Sequence, residues 1–439
     1  MKIQYKSIAL IASTLCCSSL ACTASAETLL DGLRTSPHLL GDWDGERGAL
    51  AQKGIDFDLS YTNEAAHNVK GGDQRLTRAA QQVAVGVTAD LDKLWGIHNT
   101  SFHFVMTDRF GRSVDADAHL GTSQQTQEIY GRNQTVWLTK LTLDRTFFDN
   151  RLLLSVGRDS EGAAFDYTDC NFMTLALCGP QVPNLYGNYF MSWPGSVWMG
   201  RAKLQTSGQT YLQTGVYQQS PRYYDSGWER SNAWAPTSPG GTNGVVVPLE
   251  FGWTPKIGGQ PGAYRLGFVY NTGGQPDILT DINGNRRAVT GLAGMESTKS
   301  YSGYFSVTQK LTGEGDAGWT VNLRLLAGDK QTSVLDRQMT LGFEYAEPFK
   351  RVGDRFGVGV AMTHTSSREA MYQAEYNTLH PGDVTYVGNG YETAYEVFYS
   401  WNVIPSISLQ PDLQYISHPG GTTKNSNVFI VGLKTTVQF

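Results

Sequence analysis

The chain has 439 residues, enough for two or three ordinary domains or for one large β-barrel. Its 49 glycines and 22 tyrosines, with 11% aromatic residues overall, suit many short strands joined by tight turns. A formal net charge of −5 without basic patches argues against a nucleic-acid-binding protein. Beyond the N-terminal segment, no apolar stretch reaches the roughly 20 residues of a membrane-spanning helix.

The N-terminus has the three parts of a secretory signal peptide. Lys2 and Lys6 are followed by an apolar run over residues 8–15 and an Ala-Ser-Ala cleavage site at residues 24–26. We predict that residues 1–26 are removed. Lipid attachment at Cys22 is the alternative, but residues 19–22 resemble a lipobox only loosely.

A short leader precedes the first strand. Residues 42–54 predict a short helix, because Asp42 can cap its first amides and Gly54 can end it. We expect this helix under or inside the periplasmic mouth of a barrel. The predicted organisation is therefore a leader over residues 27–53 and a transmembrane β-barrel over residues 54–439.

From residue 55 onward, residue character alternates with a period of two, which is typical of strands with two different faces. In residues 262–271, one face carries Tyr264, Leu266, Phe268 and Tyr270. Pro248 and Pro411 lie inside such segments and each removes a ladder donor, so the predicted number is sixteen with an error of two. The segments are 55–64, 79–92, 100–109, 133–143, 151–159, 195–205, 209–219, 245–254, 262–271, 300–311, 318–328, 338–346, 354–364, 390–401, 406–417 and 427–439.

The connections between these segments alternate between long ones of 9–35 residues and short ones of 3–7 residues. A transmembrane barrel has this rhythm, because one rim carries short periplasmic turns and the other carries long external loops. Closure also removes the open sheet edge, which would leave backbone groups unpaired in lipid. The sequence therefore predicts an antiparallel up-and-down barrel with about sixteen strands.

The two faces of the predicted strands differ in chemistry. Aromatic residues near the segment ends suggest an interfacial girdle; they are Trp198, Trp253, Trp319, Tyr391, Trp401 and Phe439. The opposite face is too polar for a packed core and fits a water-filled lumen. It carries Arg201, Lys203, Glu250, Arg265, Lys310, Arg324, Glu344, Glu392, Glu396, Asp412 and Lys434. A very large soluble β-protein with solvated sheet faces is the alternative.

Three stretches of the sequence resemble the OprB-type carbohydrate-selective porins. They are GDWDGER at residues 41–47 with GIDF at 54–57, VGRD at 156–159 with CNF at 170–172 and CGP at 178–180, and QPDLQY at 410–415 with HPGG at 418–421. The resemblance covers the whole mature chain. It implies a sixteen-stranded barrel whose third external loop folds into the pore.

The third long connection, residues 160–194, contains both cysteines that remain after cleavage. Export places Cys170 and Cys178 in an oxidising compartment, where a disulfide can persist, with two free thiols as the alternative. Such a bridge would stiffen the loop and stabilise its folded state relative to the unfolded chain by roughly 2–3 kcal/mol. For Arg158, just before this connection, parity indicates the outer face. We expect the strand to end before it, and an arginine that snorkels at the rim is the alternative.

The predicted function is passive diffusion of small neutral sugars through a constriction of mixed charge in the outer membrane of a Gram-negative bacterium. The wall residues expected there are Arg265, Arg324, Glu250, Glu344 and Glu396. The loop residues expected there are Asp166, Asp169, Asn171 and Trp193. The expected partners are outer-membrane lipid and other copies of the chain in a homotrimer. A general porin or a structural or adhesive barrel is the alternative function. No catalytic motif is present, so we expect no enzyme, metal or cofactor.

Overall fold

The computed structural model describes residues 32–167, 171–178, 189–297 and 300–439. Sixteen antiparallel strands follow one another around one sheet. They are β1 Ile55–Lys70, β2 Thr77–Asp90, β3 Thr100–Gly111, β4 Val136–Phe147, β5 Leu152–Asp159, β6 Val197–Gln205, β7 Thr210–Gln219, β8 Gly244–Trp253, β9 Gln260–Asn271, β10 Ser300–Lys310, β11 Gly318–Gly328, β12 Leu335–Ala346, β13 Arg355–Thr365, β14 Tyr391–Ile404, β15 Ile407–Ser417 and β16 Val428–Gln438.

The sheet closes on itself without a free edge. β1 pairs with β2 on one side and with β16 on the other, where Ser60 lies opposite Gln438. Every strand of the ring therefore has two neighbours, as a barrel in lipid requires. The predicted sixteen-stranded, all-β transmembrane barrel is confirmed.

Shorter elements decorate the two rims. Short strands Lys256–Ile257, Gln275–Asp281 and Gly294–Ser297 accompany helices Glu46–Gln52, Leu91–Trp95, Val114–Ala118, Ser226–Asn232, Arg287–Thr290 and Ser367–Leu379. Single 3-10 turns occur at Trp43–Gly45, Arg132–Gln134, Glu161–Ala163, Pro221–Tyr224, Pro348–Lys350 and Pro419–Gly421. In the described part of the chain, no helix is long and apolar enough to cross a membrane.

Two external connections are shorter than predicted, because the strands beside them are longer. β1 continues to Lys70 and β12 begins at Leu335, so the external connections over residues 71–76 and 329–334 are short. The strict alternation of long and short connections is therefore wrong at these two places. The outward face of a strand is apolar only where it meets the lipid core. Outside this region, outward residues such as His67 are polar, so both faces are polar and the alternation that predicts a strand disappears.

Burial follows the predicted parity along the strands. In β9, Leu266 is 61% exposed and Phe268 is 48% exposed, whereas Gly267 and Val269 are buried on the inner face. Because the outward side chains meet lipid rather than protein, their exposure in the isolated chain is expected. Pro248 and Pro411 do lie within strands, β8 and β15.

Arg158 has an environment that the sequence did not indicate. β5 continues to Asp159, so the expectation that it ends before Arg158 is wrong. Arg158 faces outward but is fully buried, because residues 221–236 fold over the outer rim. Its guanidinium donates to the carbonyl oxygens of Ala235 at 2.7 Å and Ser196 at 2.6 Å and lies 5.6 Å from the centre of the Tyr223 ring.

The leader helix Glu46–Gln52 lies at the periplasmic mouth, where the first and last strands meet. Asp42 Oδ1 accepts a hydrogen bond from the backbone N–H of Gly48 at 2.9 Å, which agrees with the predicted capping role. Arg47 donates to the carbonyl oxygens of Phe439 at 2.9 Å and Phe57 at 2.6 Å. The leader is therefore bound to both sides of the closing seam.

Candidate pore constriction

Residues 160–167 and 171–178 after β5, called here the infolded loop, lie inside the barrel. Phe172, Met173 and Leu177 are buried against the inner face of the wall. A Cβ atom at Gly359 would lie 2.7 Å from Leu177 Cδ1 and 3.0 Å from Phe172 Cε1. The wall therefore needs a residue without a side chain at this position to seat the loop.

Glu250 on β8 anchors the first part of the infolded loop. Its carboxylate accepts hydrogen bonds from the hydroxyls of Tyr211 at 2.8 Å and Tyr304 at 2.6 Å, and from the backbone N–H of Asp166 at 3.1 Å. Gln213 Nε2 donates a fourth bond at 2.6 Å. The acceptor oxygens of this buried carboxylate are thus occupied by protein donors.

Two further contacts complete this anchor. Asp166 and Arg324 form a buried ion pair with a shortest distance of 2.6 Å. The Tyr304 ring lies across Gly267, where a Cβ atom would be 2.0 Å from Tyr304 Cζ. Only glycine allows the tyrosine to lie flat on the wall and direct its hydroxyl to Glu250.

The second part of the infolded loop is held by two other glutamates. Glu344 on β12 accepts a hydrogen bond from Asn171 Nδ2 at 2.6 Å. Glu396 on β14 accepts from the backbone N–H groups of Met173 at 2.6 Å and Thr174 at 2.8 Å. Charged acceptors on backbone N–H groups make strong hydrogen bonds, so this part of the loop is firmly positioned.

A second loop segment, which the sequence analysis missed, also folds inward. This segment, residues 122–130, is called here the companion loop. The backbone N–H of Ser123 donates to the Glu392 carboxylate at 2.6 Å, and that of Ile129 donates to the Glu64 carboxylate at 3.2 Å. The companion loop also bonds to the infolded loop, with Glu128 N–H donating to the Met173 carbonyl at 2.9 Å. The inward parity of Glu64 and Glu392 was the only sequence signal for it.

The structure divides the predicted constriction residues into separate groups. Arg265, Arg324, Glu250 and Asp166 lie in one cluster, Asn171 contacts Glu344, and Glu396 binds the loop further along. Trp193 is elsewhere, 41% exposed, with its indole N–H donating to Gln82 Oε1 at 3.1 Å. Asp169 and Cys170 lie outside the described residues. Cys178 is buried and disulfide-bonded, and its pairing with Cys170 stays a prediction.

The side chains that remain accessible beside the infolded loop are mostly cationic. Arg201 donates to Gln213 Oε1 at 3.3 Å and to Ser155 Oγ at 3.0 Å. The Lys203 ammonium lies 4.0 Å from the centre of the Tyr211 ring. Both are half-buried, and neither was selected from the sequence as a constriction residue, although both were assigned to the polar face.

Open space lies outside the companion loop and on the periplasmic side of the infolded loop. An external cavity of about 690 Å³ is lined by His119, Ser123, Glu369, Tyr386 and neighbouring residues. An internal cavity of about 350 Å³ is lined by Asn171, Lys310, Asn322, Glu344 and Arg355 and extends to the periplasmic turn at residues 315–316. The two loops, which are hydrogen-bonded to each other, thus lie between an outer vestibule and an inner one.

Comparison with known proteins agrees with this architecture. The family model of the carbohydrate-selective porin, OprB family, matches residues 74–439. Porin B of Pseudomonas aeruginosa is 36% identical over 423 residues, which cover 92% of each chain. The putative porin QuiX of Acinetobacter baylyi is 28% identical over 424 residues, 91% of this chain and 93% of the relative. A high-pH structure of Pseudomonas putida OprB superposes with a TM-score of 0.86 and 32% identity, over 92% of this chain and 99% of that one.

Proposed function

Since the chain belongs to the OprB family of carbohydrate-selective porins, an outer-membrane channel for sugars, we propose a path by which monosaccharides cross it. The path runs between the infolded loop and the inner face of β2 to β9. The observation that carries it is the set of accessible donors and one aromatic ring on this side, namely Arg201, Lys203, Arg265 and Trp193.

These side chains match what a sugar requires. Arginine and lysine donate several hydrogen bonds to hydroxyl groups, and an exposed indole offers a flat apolar surface to a pyranose ring. Each contact contributes on the order of 1 kcal/mol, so binding stays weak enough for rapid release. A sugar can therefore be recognised without being trapped.

The remaining predicted constriction residues have a different role in this proposal. Glu250, Arg324, Glu344, Glu396, Asp166 and Asn171 hold the infolded loop and so fix the width of the passage. They set selectivity by size, whereas the accessible donors set selectivity by chemistry. We also propose Asp169, which the sequence predicts in the same loop, as a residue of the constriction.

The test is conductance of the purified protein in a planar bilayer, with glucose titrated as a blocker. We expect saturable reduction of the ion current, weakened roughly five- to tenfold by Trp193→Ala, as expected for a lost stacking contact worth about 1 kcal/mol or more. Trp401→Ala, on the outward face, is the matched control and leaves the block unchanged. If glucose does not block the wild-type channel, the protein is a general porin.

Three further expectations belong to this proposal. The channel is passive, without catalysis, metal or organic cofactor. Three copies associate in the membrane, which native mass measurement in detergent tests, with a monomeric mass as the contradicting result. We expect cleavage after residue 26, so the intact mass of the extracted protein should be that of residues 27–439 without an acyl group. A chain that begins at Cys22 with added acyl mass would contradict this expectation.

A further inference from the structure

The wall beside the infolded loop exposes cations but buries the carboxylates near them. Arg201, Lys203 and Arg265 are half-buried on the inner face and lie close enough to interact electrostatically. Three carboxylates that interact with these cations are buried: Glu250 and Asp166 are 0% exposed and Asp159 is 9% exposed. A solute passing here therefore meets positive charge rather than the balanced mixture expected from the sequence.

The three accessible cations are not neutralised by direct pairing. In the part of the chain that the structure describes, none of them lies within 4.0 Å of a carboxylate oxygen. Arg201 donates to neutral oxygens, and Lys203 lies over an aromatic ring. Asp166 is already paired with Arg324 and Asp159 with Lys140, so Glu250 is the remaining buried carboxylate of these three.

Other carboxylates along the path are half-buried beside a basic side chain, as are Glu128, 3.4 Å from Lys434, and Asp144, 3.9 Å from His103, or are exposed near its ends. Asp56 and Asp58 are exposed within the first four residues of β1, at its periplasmic end. Glu369 and Asp383 line the external cavity. Screening by physiological salt acts over about 8 Å, so these groups influence their own vestibules more than the passage beside the loop. Lys140, in contrast, is paired with Asp159 at 3.3 Å.

Resting on the proposed function, we propose that this cationic wall makes the pore prefer hydroxylated solutes that carry a carboxylate, such as sugar acids. The hydroxyl groups use the donors that any sugar uses, and the carboxylate adds charge-assisted hydrogen bonds to arginine or lysine. A fixed positive charge at the narrow part of a pore also raises the local concentration of anions. Neutral sugars pass, and cationic sugars are disfavoured.

The test uses three sugars with one ring and different charges: glucose, glucuronate and glucosamine. In planar bilayers near neutral pH, we expect glucuronate to block at a concentration roughly three- to tenfold lower than glucose, and glucosamine to block least. Under a salt gradient, the reversal potential should indicate preference for chloride over potassium. Equal block by all three sugars, or preference for potassium, would overturn the proposal.

Variants test whether the three cations of the wall cause the preference for glucuronate. Replacing Arg201, Lys203 and Arg265 together by glutamine should bring the blocking concentrations of glucuronate and glucose within about twofold of each other. Lys256→Gln, on an exposed periplasmic segment, removes one cation outside the passage and should change neither value. Heat-modifiable mobility confirms that each variant barrel is folded. If glucose still blocks but charge makes no difference, this proposal fails and the proposed function stands; if no sugar blocks, the proposed function fails.

Discussion

Glu250 illustrates how one side chain on the lumen face can act without meeting the solute. Burying a carboxylate is costly unless donors replace its water, and here two tyrosine hydroxyls, an amide side chain and a backbone N–H do so. Parity places Glu250 on the inner face, but parity cannot distinguish a wetted charge from one that holds a loop. The same holds for Glu344 and Glu396.

Replacing Glu250 by glutamine should loosen the infolded loop. The amide keeps the shape but loses the charge, and hydrogen bonds to a charged group are worth about 1.5–3 kcal/mol each. We expect larger mean conductance and more current noise in single channels, with the barrel still folded. Glu314→Gln, in an exposed periplasmic turn, is the control. Unchanged conductance and noise would show that this carboxylate does not position the loop.

Gly359→Val tests the seat of the infolded loop. The added side chain would overlap Leu177 and Phe172, and overpacking of this kind costs about 1–3 kcal/mol. We expect the loop to be displaced and the conductance to rise. Gly303→Val, on the outward face where only the Gly267 carbonyl oxygen lies within 4 Å, should leave conductance unchanged. Equal conductance of both variants would contradict the packing argument.

At the scale of elements, the infolded and companion loops form one unit. Glu128 donates its backbone N–H to Met173, and Leu175 donates to the Gln125 carbonyl at 2.9 Å. Neither loop is therefore placed by the wall alone. The companion loop is also fixed at its base, where Asp117 pairs with Arg112 at 2.7 Å and with Arg78.

This base contact should make the companion loop sensitive to acid. Hydrogen bonds from Arg112 and then Arg78 lower the pKa of Asp117 below its ordinary value of 3.8. A lowered folded-state pKa contributes stability that is present above pH 3.8 and is lost as the pH falls through the folded value. Current noise of the wild type should therefore rise below about pH 4.

In Asp117→Asn, the same rise should be reduced, because the group no longer titrates and the noise is already higher at neutral pH. Asp383→Asn, an exposed carboxylate on another external loop, serves as the control and should retain the wild-type acid response. An identical pH profile in wild type and Asp117→Asn would exclude this ion pair as the acid-sensitive contact.

The strands were predictable from the sequence and the inner loops were not, for one physical reason. Alternation in β9 or β11 is a local pattern imposed by lipid on one side and polar groups on the other. The position of Ser123 against Glu392, in contrast, is a contact between residues far apart in the chain. Arg158 shows the same limit, since only the folded loop after β7 reveals that it is covered.

At the scale of the whole molecule, one closed sheet crosses the outer membrane and its lumen is divided by loops. The wall supplies rigidity, because each strand is hydrogen-bonded on both sides. Selectivity then depends on loops that can vary without disturbing the barrel. Closure of the barrel depends on the pairing of β1 with β16, which lie at opposite ends of the sequence.

Arg47→Ala should weaken that closure. The variant loses two charge-assisted hydrogen bonds that join the leader to the first and last strands. We expect a lower temperature for the shift from folded to unfolded mobility in detergent gels, while β-rich circular dichroism is retained at low temperature. Lys53→Ala, an exposed residue just after the same helix, is the control. An unchanged transition temperature would show that the leader does not stabilise the seam.

The Arg47 contact also has a consequence for assembly order. Its two acceptors, the carbonyl oxygens of Phe57 and Phe439, come from opposite ends of the chain and are neighbours only after the ring has closed. The leader can therefore form both of its hydrogen bonds only on a closed barrel, in which the first and last strands lie side by side. During membrane insertion, protection of the leader from protease would be a late event that reports completion of the last strand.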